Sequence, residues 1–292
     1  MAKRPPAAQT SFGPMVIAAG EHYAPAAQRL IDDELAVRFL PLNLRLAVQA
    51  CRWRPIRNML FDFTEKQAPG VWGGTLCRKR YADERLFEAI SAGITQVVVL
   101  GAGMDTRVYR LAAPSGVSCF EIDLPANIAH KRGRLQAIYG RVPEHVTLIP
   151  VDFETQDVGE ELAGNGFDVS KPAMFVWEAV TQYLTEYGIR RTFAMLARAA
   201  TGSRLIFTYV RKDFLDGTNR YDAESVYERF VVKYGVWHWG IDPVNVDGLL
   251  REYGWAEREQ VGRDEYVVRY VKPAGRDLPV TEIERFVFAE KL

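Results

Sequence analysis

The feature that most limits what this chain can become is one run: Gln96-Val97-Val98-Val99-Leu100-Gly101-Ala102-Gly103-Met104-Asp105-Thr106-Arg107. Val97 to Leu100 are consecutive apolar residues. An unbroken apolar run, rather than an alternation, is the pattern of a strand buried on both faces of a parallel sheet. Gly101 and Gly103 follow at once. Glycines in that place let the backbone approach a ligand and take positive φ without strain. A parallel sheet opens its ligand pocket at the carboxyl end of such a strand. The same spacing also suits a tight strand-to-helix turn with no ligand, so the rest of the chain has to decide between the two.

Beyond Arg107 the sequence alternates strand and helix. Residues 117–123, 146–151, 173–177 and 204–209 read as strands, and residues 126–139 and 185–200 as helices between them. Residues 255–261 and 265–271 read as a closing antiparallel pair, and residues 281–290 as a last helix. Strands alternating with helices predict an α/β fold, a mostly parallel seven-stranded sheet with an antiparallel edge strand. Ahead of the sheet, residues 24–40, 42–53 and 77–92 read as helices, the last with Leu86, Phe87 and Ile90 facing a core. Residues 64–72, with Pro69-Gly70, read as a loop. The chain thus divides into a helical N-terminal cap over 1–92 and a sheet core over 93–292. A cap insertion around 211–245 is the natural cover for the strands' carboxyl ends.

Composition narrows the function classes. Lys plus Arg equals Asp plus Glu, 37 each, so the formal charge is zero. That balance speaks against a nucleic-acid or anionic-membrane partner. Cys51, Cys77 and Cys119 are scattered, without CxxC spacing, and there is no HExxH run. Neither a metal site nor a disulfide framework is indicated, and each cysteine reads as a small buried residue. Residues 1–13 lack the apolar core of a signal peptide, and residues 1–9 read as a tail. No apolar run reaches membrane-spanning length. The expected location is the cytoplasm.

Acids at the strand ends choose the ligand. Asp123 closes the second strand about twenty residues beyond Gly101, where an acid accepts hydrogen bonds from ribose hydroxyls. Asp152 closes the third strand and Glu178 the fourth, and Asp105 stands in the glycine loop itself. A dinucleotide loop wants a third glycine, but Thr106 occupies that place and Asp105 would oppose a pyrophosphate. S-adenosyl-L-methionine has adenine and ribose, no phosphate, and a sulfonium cation. Its carboxylate needs a basic partner, which Arg78 or Arg80 can supply in bidentate geometry.

These residues resemble a known family. Leu100-Gly101-Ala102-Gly103-Met104-Asp105-Thr106-Arg107 with Tyr109-Arg110-Leu111 resembles the signature of the leucine carboxyl methyltransferase family. That family is a branch of the class I S-adenosylmethionine-dependent methyltransferases, and it also holds polyketide O-methyltransferases. Phe120-Glu121-Ile122-Asp123-Leu124-Pro125, Val151-Asp152-Phe153 and Trp177-Glu178-Ala179-Val180-Thr181-Gln182-Tyr183-Leu184 are further matches. Arg78-Lys79-Arg80-Tyr81-Ala82-Asp83 resembles the family's RTRxxD helix with Lys79 where Thr is usual, and Asp32-Asp33-Glu34-Leu35-Ala36 resembles its DDPLA element. The resemblance covers roughly residues 25–210 and implies a Rossmann-like methyltransferase fold. It implies that Gly101, Ala102 and Gly103 line the methionine part of the cofactor. Asp123 and Leu124 would lie at the ribose, and Asp152 and Phe153 at the adenine. Arg78 would hold the carboxylate, with Arg80 second to it. Glu178 would sit by the amino group, with Tyr183 bracing the helix that follows.

The implied chemistry is in-line displacement at the sulfonium methyl, for which the protein supplies alignment and desolvation. A carboxylate acceptor needs no general base; a hydroxyl needs one, and His22, Tyr23, Tyr209 and His238 are the candidates. Arg211 could orient an acidic acceptor, and Trp72, Trp237 and Trp239 could line an aromatic pocket. The leading expectation is an O-methyltransferase acting on the carboxylate or hydroxyl of a small hydrophobic metabolite. The alternatives are a protein C-terminal carboxyl methyltransferase and a non-catalytic nucleotide-binding protein that kept the fold.

Overall fold

The computed structural model describes residues 12–292, so the tail expected over 1–9 lies outside the described residues. The chain begins with helices: α1 (Phe12–Glu21), α2 (Leu42–Ala50), α3 (Arg54–Gln67) and α4 (Val71–Ser91). The single helix expected over 24–40 is instead two short pieces, Ala26–Gln28 and Ala36–Phe39. Pro25 and the Asp33 carboxylate, which accepts from the Ala36 N–H at 3.0 Å, restart the chain there. The loop expected over 64–72 is shorter, because α3 and α4 nearly meet at Gly70. Gly70 has φ 70°, and a Cβ there would lie 2.4 Å from the Thr281 nitrogen, so only glycine fits. Phe87, expected to face inward from α4, is exposed, while Leu86 is fully buried.

The sheet holds β1 (Gln96–Leu100), β2 (Ser118–Asp123), β3 (Val146–Pro150), β4 (Met174–Trp177), β5 (Arg204–Arg211), β6 (Gly240–Ile241), β7 (Trp255–Val261) and β8 (Glu284–Lys291). Its order is β3-β2-β1-β4-β5-β8-β7, with β6 beside β5. The seven-stranded sheet therefore carries one extra two-residue strand. The first five strands pair in parallel, and β8 runs antiparallel to both neighbours. The chain winds outward through β1, β2 and β3 and then returns to place β4 on the other side of β1. That reversal opens a crevice between the ends of β1 and β4.

The carboxyl-terminal part departs from the sequence-based expectation. Residues 263–271 are helical, as Arg263–Tyr266 running into Val267–Val271, and not a strand. Tyr266, Tyr270 and Val271 fall on one helical face and are buried, with the two tyrosine rings stacked at 6.2 Å. The expected last helix, 281–290, is instead strand β8. Phe286, Val287, Phe288 and Ala289 are all buried there between β5 and β7. An apolar run this short suits either form, and its Phe-Val-Phe content favours the strand once neighbours stand on both sides.

Alternate residues of β1 serve two cores. Val97 and Val99 pack with α1 and α4, and Val98 and Leu100 pack on the opposite face. That second face is covered by helices α6 (Val158–Gly164), α7 (Glu186–Leu196) and α8 (Val246–Glu252), which follow α5 (Pro125–Tyr139) in the chain. Each fully buried aliphatic side chain contributes about 1.5–3 kcal/mol. Residues 212–239, between β5 and β6, form a smaller cluster of their own around Phe214, Ala223 and Val226.

Candidate functional site

The site is built on the loop after β1. Gly101 and Gly103 both have positive φ, 74° and 42°. A Cβ on Gly101 would lie 2.3 Å from a Val180 methyl, so the loop touches the segment that follows β4. Asp123, the last residue of β2, reaches across. Its Oδ2 accepts from the Gly103 N–H at 2.6 Å, and its Oδ1 accepts from the Leu124 N–H at 2.7 Å and the Asn127 side chain at 2.8 Å. Burial pushes the Asp123 carboxyl above its ordinary range, and those three donors resist the shift.

Beneath the loop lies a buried cluster. Lys131 of α5 donates to Glu121 at 2.5 Å and to the Ala102 carbonyl at 3.2 Å, and the Tyr109 hydroxyl donates to the other Glu121 oxygen at 2.5 Å. Ala102 C=O and Gly103 N–H belong to one peptide unit. Lys131 holds its oxygen and Asp123 its N–H, so the plane of that peptide is fixed from both ends.

The opposite wall is an ion network. Arg107, buried at 0% exposure, donates through Nε to Asp83 at 2.7 Å, through Nη1 to Asp105 at 2.6 Å and through Nη2 to Glu178 at 2.7 Å. Arg78 of α4 donates through Nε to Glu178 at 2.8 Å and through Nη1 to Glu284 at 2.5 Å. Arg110 joins Asp83 at 2.8 Å and Asp33 at 3.3 Å, and the Thr106 hydroxyl donates to Asp33 at 2.5 Å. Burial opposes ionisation of Glu178, yet Arg107, Lys79 and Arg78 hold its carboxyl down to about 2. Asp105 is likewise held well below the usual range, chiefly by Arg107 against burial. The acid in the glycine loop is thus an ion-pair partner of Arg107. Ala179, directly after Glu178, has φ 58°, a costly conformation for a residue with a side chain, and its N–H is held by Thr208 Oγ1 at 2.7 Å.

The structure brings Gly101, Ala102, Gly103, Asp123, Leu124, Arg78 and Glu178 around the β1–β4 crevice. Asp152 follows β3 at the same sheet edge; its Oδ1 accepts from the Glu154 N–H at 3.0 Å, and Phe153 beside it is buried. Arg80 stands apart, paired to Glu84 at 3.0 Å and lying over the Tyr270 ring, as its position on an outer helix face dictates. Tyr183 meets the edge of Trp237 at 6.4 Å, and Trp237 stacks on Phe230 at 4.9 Å.

Four expected acceptor-side residues are spent elsewhere. Tyr209 is fully buried and donates to Gln260 at 2.7 Å. Trp239 is buried against the second core and donates to Glu186 at 2.7 Å. Trp72 packs edge-on against Phe61 at 5.9 Å, and Arg211 is tied to Asp213 at 3.2 Å and Glu282 at 2.9 Å. His22 lies 3.4 Å from Asp32 beside Tyr23, whose carbonyl accepts from Arg57 at 2.6 Å, and the His238 side chain is exposed. None of these histidines and tyrosines joins the network described above. All three cysteines are buried, and burial pushes Cys77 and Cys119 up to about 12, which leaves them poor nucleophiles. Among the described residues no cluster is arranged to hold a metal ion, and no helix is long and apolar enough to cross a membrane.

Sequence reasoning assigned no role to Arg107, Arg110, Asp83, Asp33, Glu121 or Lys131. All but Lys131 lie inside segments quoted for their resemblance, so the signal was present without its partners. The profile of the leucine carboxyl methyltransferase family matches residues 11–197. A protein of Mycolicibacterium gilvum, named as a candidate S-adenosyl-L-methionine-dependent methyltransferase, is 30% identical over 63% of this chain and 62% of its own length. One of the same name from Mycobacterium avium is 29% identical over 93% of this chain and 84% of its own. A crystal structure described as that of a candidate methyltransferase from Thermobifida fusca superposes with a TM-score of 0.57 at 16% identity. It covers 81% of this chain and 88% of that one, and it shares the fold.

Proposed function

The chain belongs to the leucine carboxyl methyltransferase family of S-adenosyl-L-methionine-dependent methyltransferases, and from that premise we propose that it methylates an oxygen of a small hydrophobic metabolite. The residues present fit such a cofactor. The glycine loop leaves no room for a Cβ at Gly101, Asp123 is an acceptor for ribose hydroxyls, and among the described residues no hydrogen bond engages the Nη2 edge of Arg78. The acids Asp105 and Glu178 disfavour a pyrophosphate in the same place.

When bound, the cofactor supplies an already activated methyl on its sulfonium, so the protein's share is alignment and exclusion of water. Gly101 to Gly103 would line the methionine part, and Asp123 would hold the ribose. Arg78, steadied by Glu178 and Glu284, presents its free edge to the carboxylate. Glu178 stays ionised at any physiological pH and attracts the positive ammonium. Tyr183, in the segment after β4, and Phe214, Phe230 and Trp237, in the segment after β5, pack on one another, and we assign this aromatic group to the acceptor side. That aromatic cover carries the reading: it suits a compact apolar acceptor better than an extended peptide tail. His22, Tyr23, Tyr209 and His238 all lie outside the network, which favours an acceptor oxygen that is already nucleophilic, such as a carboxylate.

The test is methyl transfer from labelled cofactor to a panel of hydrophobic carboxylic acids, phenols and alcohols, alongside peptides ending in a free carboxyl. The proposal expects ester formation on the apolar acids. Transfer to the peptides alone would replace it with the protein-carboxyl reading.

A further inference from the structure

Lys79 lies at the place where this chain departs from the segment its α4 helix resembles, and the structure leaves it in an unusual state. It is buried to 5% exposure. Among the described residues no carboxylate lies within 4.0 Å of its ammonium and no hydrogen bond engages it, while its neighbours Arg78, Arg107 and Arg110 are all committed to ion pairs. Its side chain is thus largely buried while its ammonium has no partner among the described residues, which leaves that cation available to a ligand. Lys79 stands one turn before Asp83 on the same face of α4, and Asp83 accepts from Arg107, which also holds Asp105 and Glu178, so Lys79 faces the β1–β4 crevice. Its charge accordingly helps hold both acids in their ionised forms.

The surrounding charge says what the ligand is. Asp33, Asp83, Asp105, Glu178 and Glu284 outnumber Arg78, Arg107 and Arg110. Two edges of the Arg78 guanidinium are already taken by carboxylates, so Arg78 alone offers an incoming anion little net attraction. Lys79 supplies the missing positive charge. We propose that Lys79 and the free edge of Arg78 together hold the α-carboxylate of the cofactor's methionine part, with Lys79 providing the net charge and Arg78 the geometry. This rests on the cofactor reading above.

The experiment compares wild type with Lys79→Met, using two ligands measured by calorimetry. S-adenosylhomocysteine carries the carboxylate; 5′-methylthioadenosine has the same nucleoside and sulfur without the amino-acid part. Lys79→Met should weaken S-adenosylhomocysteine about tenfold or more, and leave 5′-methylthioadenosine within about twofold. Lys79→Gln, which keeps a polar head, serves if the methionine variant fails to fold. Equal loss of both ligands would mean that Lys79 only shapes the pocket. Unchanged S-adenosylhomocysteine affinity, with or without a rise in the acceptor KM, would also overturn the assignment. If wild type binds no S-adenosylhomocysteine, the cofactor reading itself fails, and that failure is distinct from the others.

Discussion

Glu178 shows how a residue's neighbours decide its chemistry. Alone at a strand end it would be an ordinary carboxylate; here Arg107 and Arg78 each donate to one of its oxygens, and its carboxyl is held down to about 2. A folded-state value below the unfolded one gives stability that is present above the unfolded value and is lost as pH falls toward about 2. For a buried group the size is on the order of 3 kcal/mol. Urea unfolding of wild type and Glu178→Gln should show a gap at about pH 6 that closes on acidification toward about pH 3. A gap that stays constant with pH would mean that ionised Glu178 is not what stabilises the wall. At this scale the sequence was half legible. The strand-end acids Asp123, Asp152 and Glu178 stand out from spacing, but their partners come from far away in the chain: Glu284 meets Arg78 across 206 residues. No local pattern reveals a pairing of that kind, and the same lack of distance information let Arg80 stand behind Arg78 as a second candidate.

Among the elements, the parallel strands were readable because burial on both faces writes an unbroken apolar run. The last quarter was not, because β8 and the helix over 263–271 are short and their apolar residues fit either period. Tertiary neighbours decided both. Helix α5 carries the clearest division of labour. Asn127 and Lys131 lie one turn apart on it, the first holding Asp123 and the second holding Glu121 and the Ala102 carbonyl. A buried ion pair is weak evidence for stability, since apolar replacements of similar volume are often neutral. The pair's purpose is therefore positional. Glu121→Leu with Lys131→Met should fold with an unfolding midpoint near that of wild type and yet bind S-adenosylhomocysteine several-fold more weakly. Hydrogen exchange at the Gly103 amide should rise in step. Wild-type affinity and exchange in a folded double variant would show that Asp123 alone fixes the peptide.

Across the whole molecule, one topological event places the site. The chain reverses its winding between β3 and β4, and the crevice this opens collects the glycine loop, Asp123, Glu178 and α4 with its basic residues. The loop after β1 constrained the fold because it stands at that reversal, and the acids on successive strands all end at the same edge of one sheet. The acceptor face was the least legible part. We assign it to residues 212–239, whose short helices pack mainly on themselves, so no sheet or long helix imposes a period on their sequence. We propose above that the crevice takes S-adenosylmethionine with Asp123 at the ribose. Calorimetric titration of wild type and Asp123→Ala with S-adenosylhomocysteine tests it directly. Wild type should bind saturably and one to one, and the variant should lose about 2 kcal/mol, or roughly thirtyfold, because the ribose hydroxyls lose a charged acceptor. Equal affinities in the two proteins would contradict it.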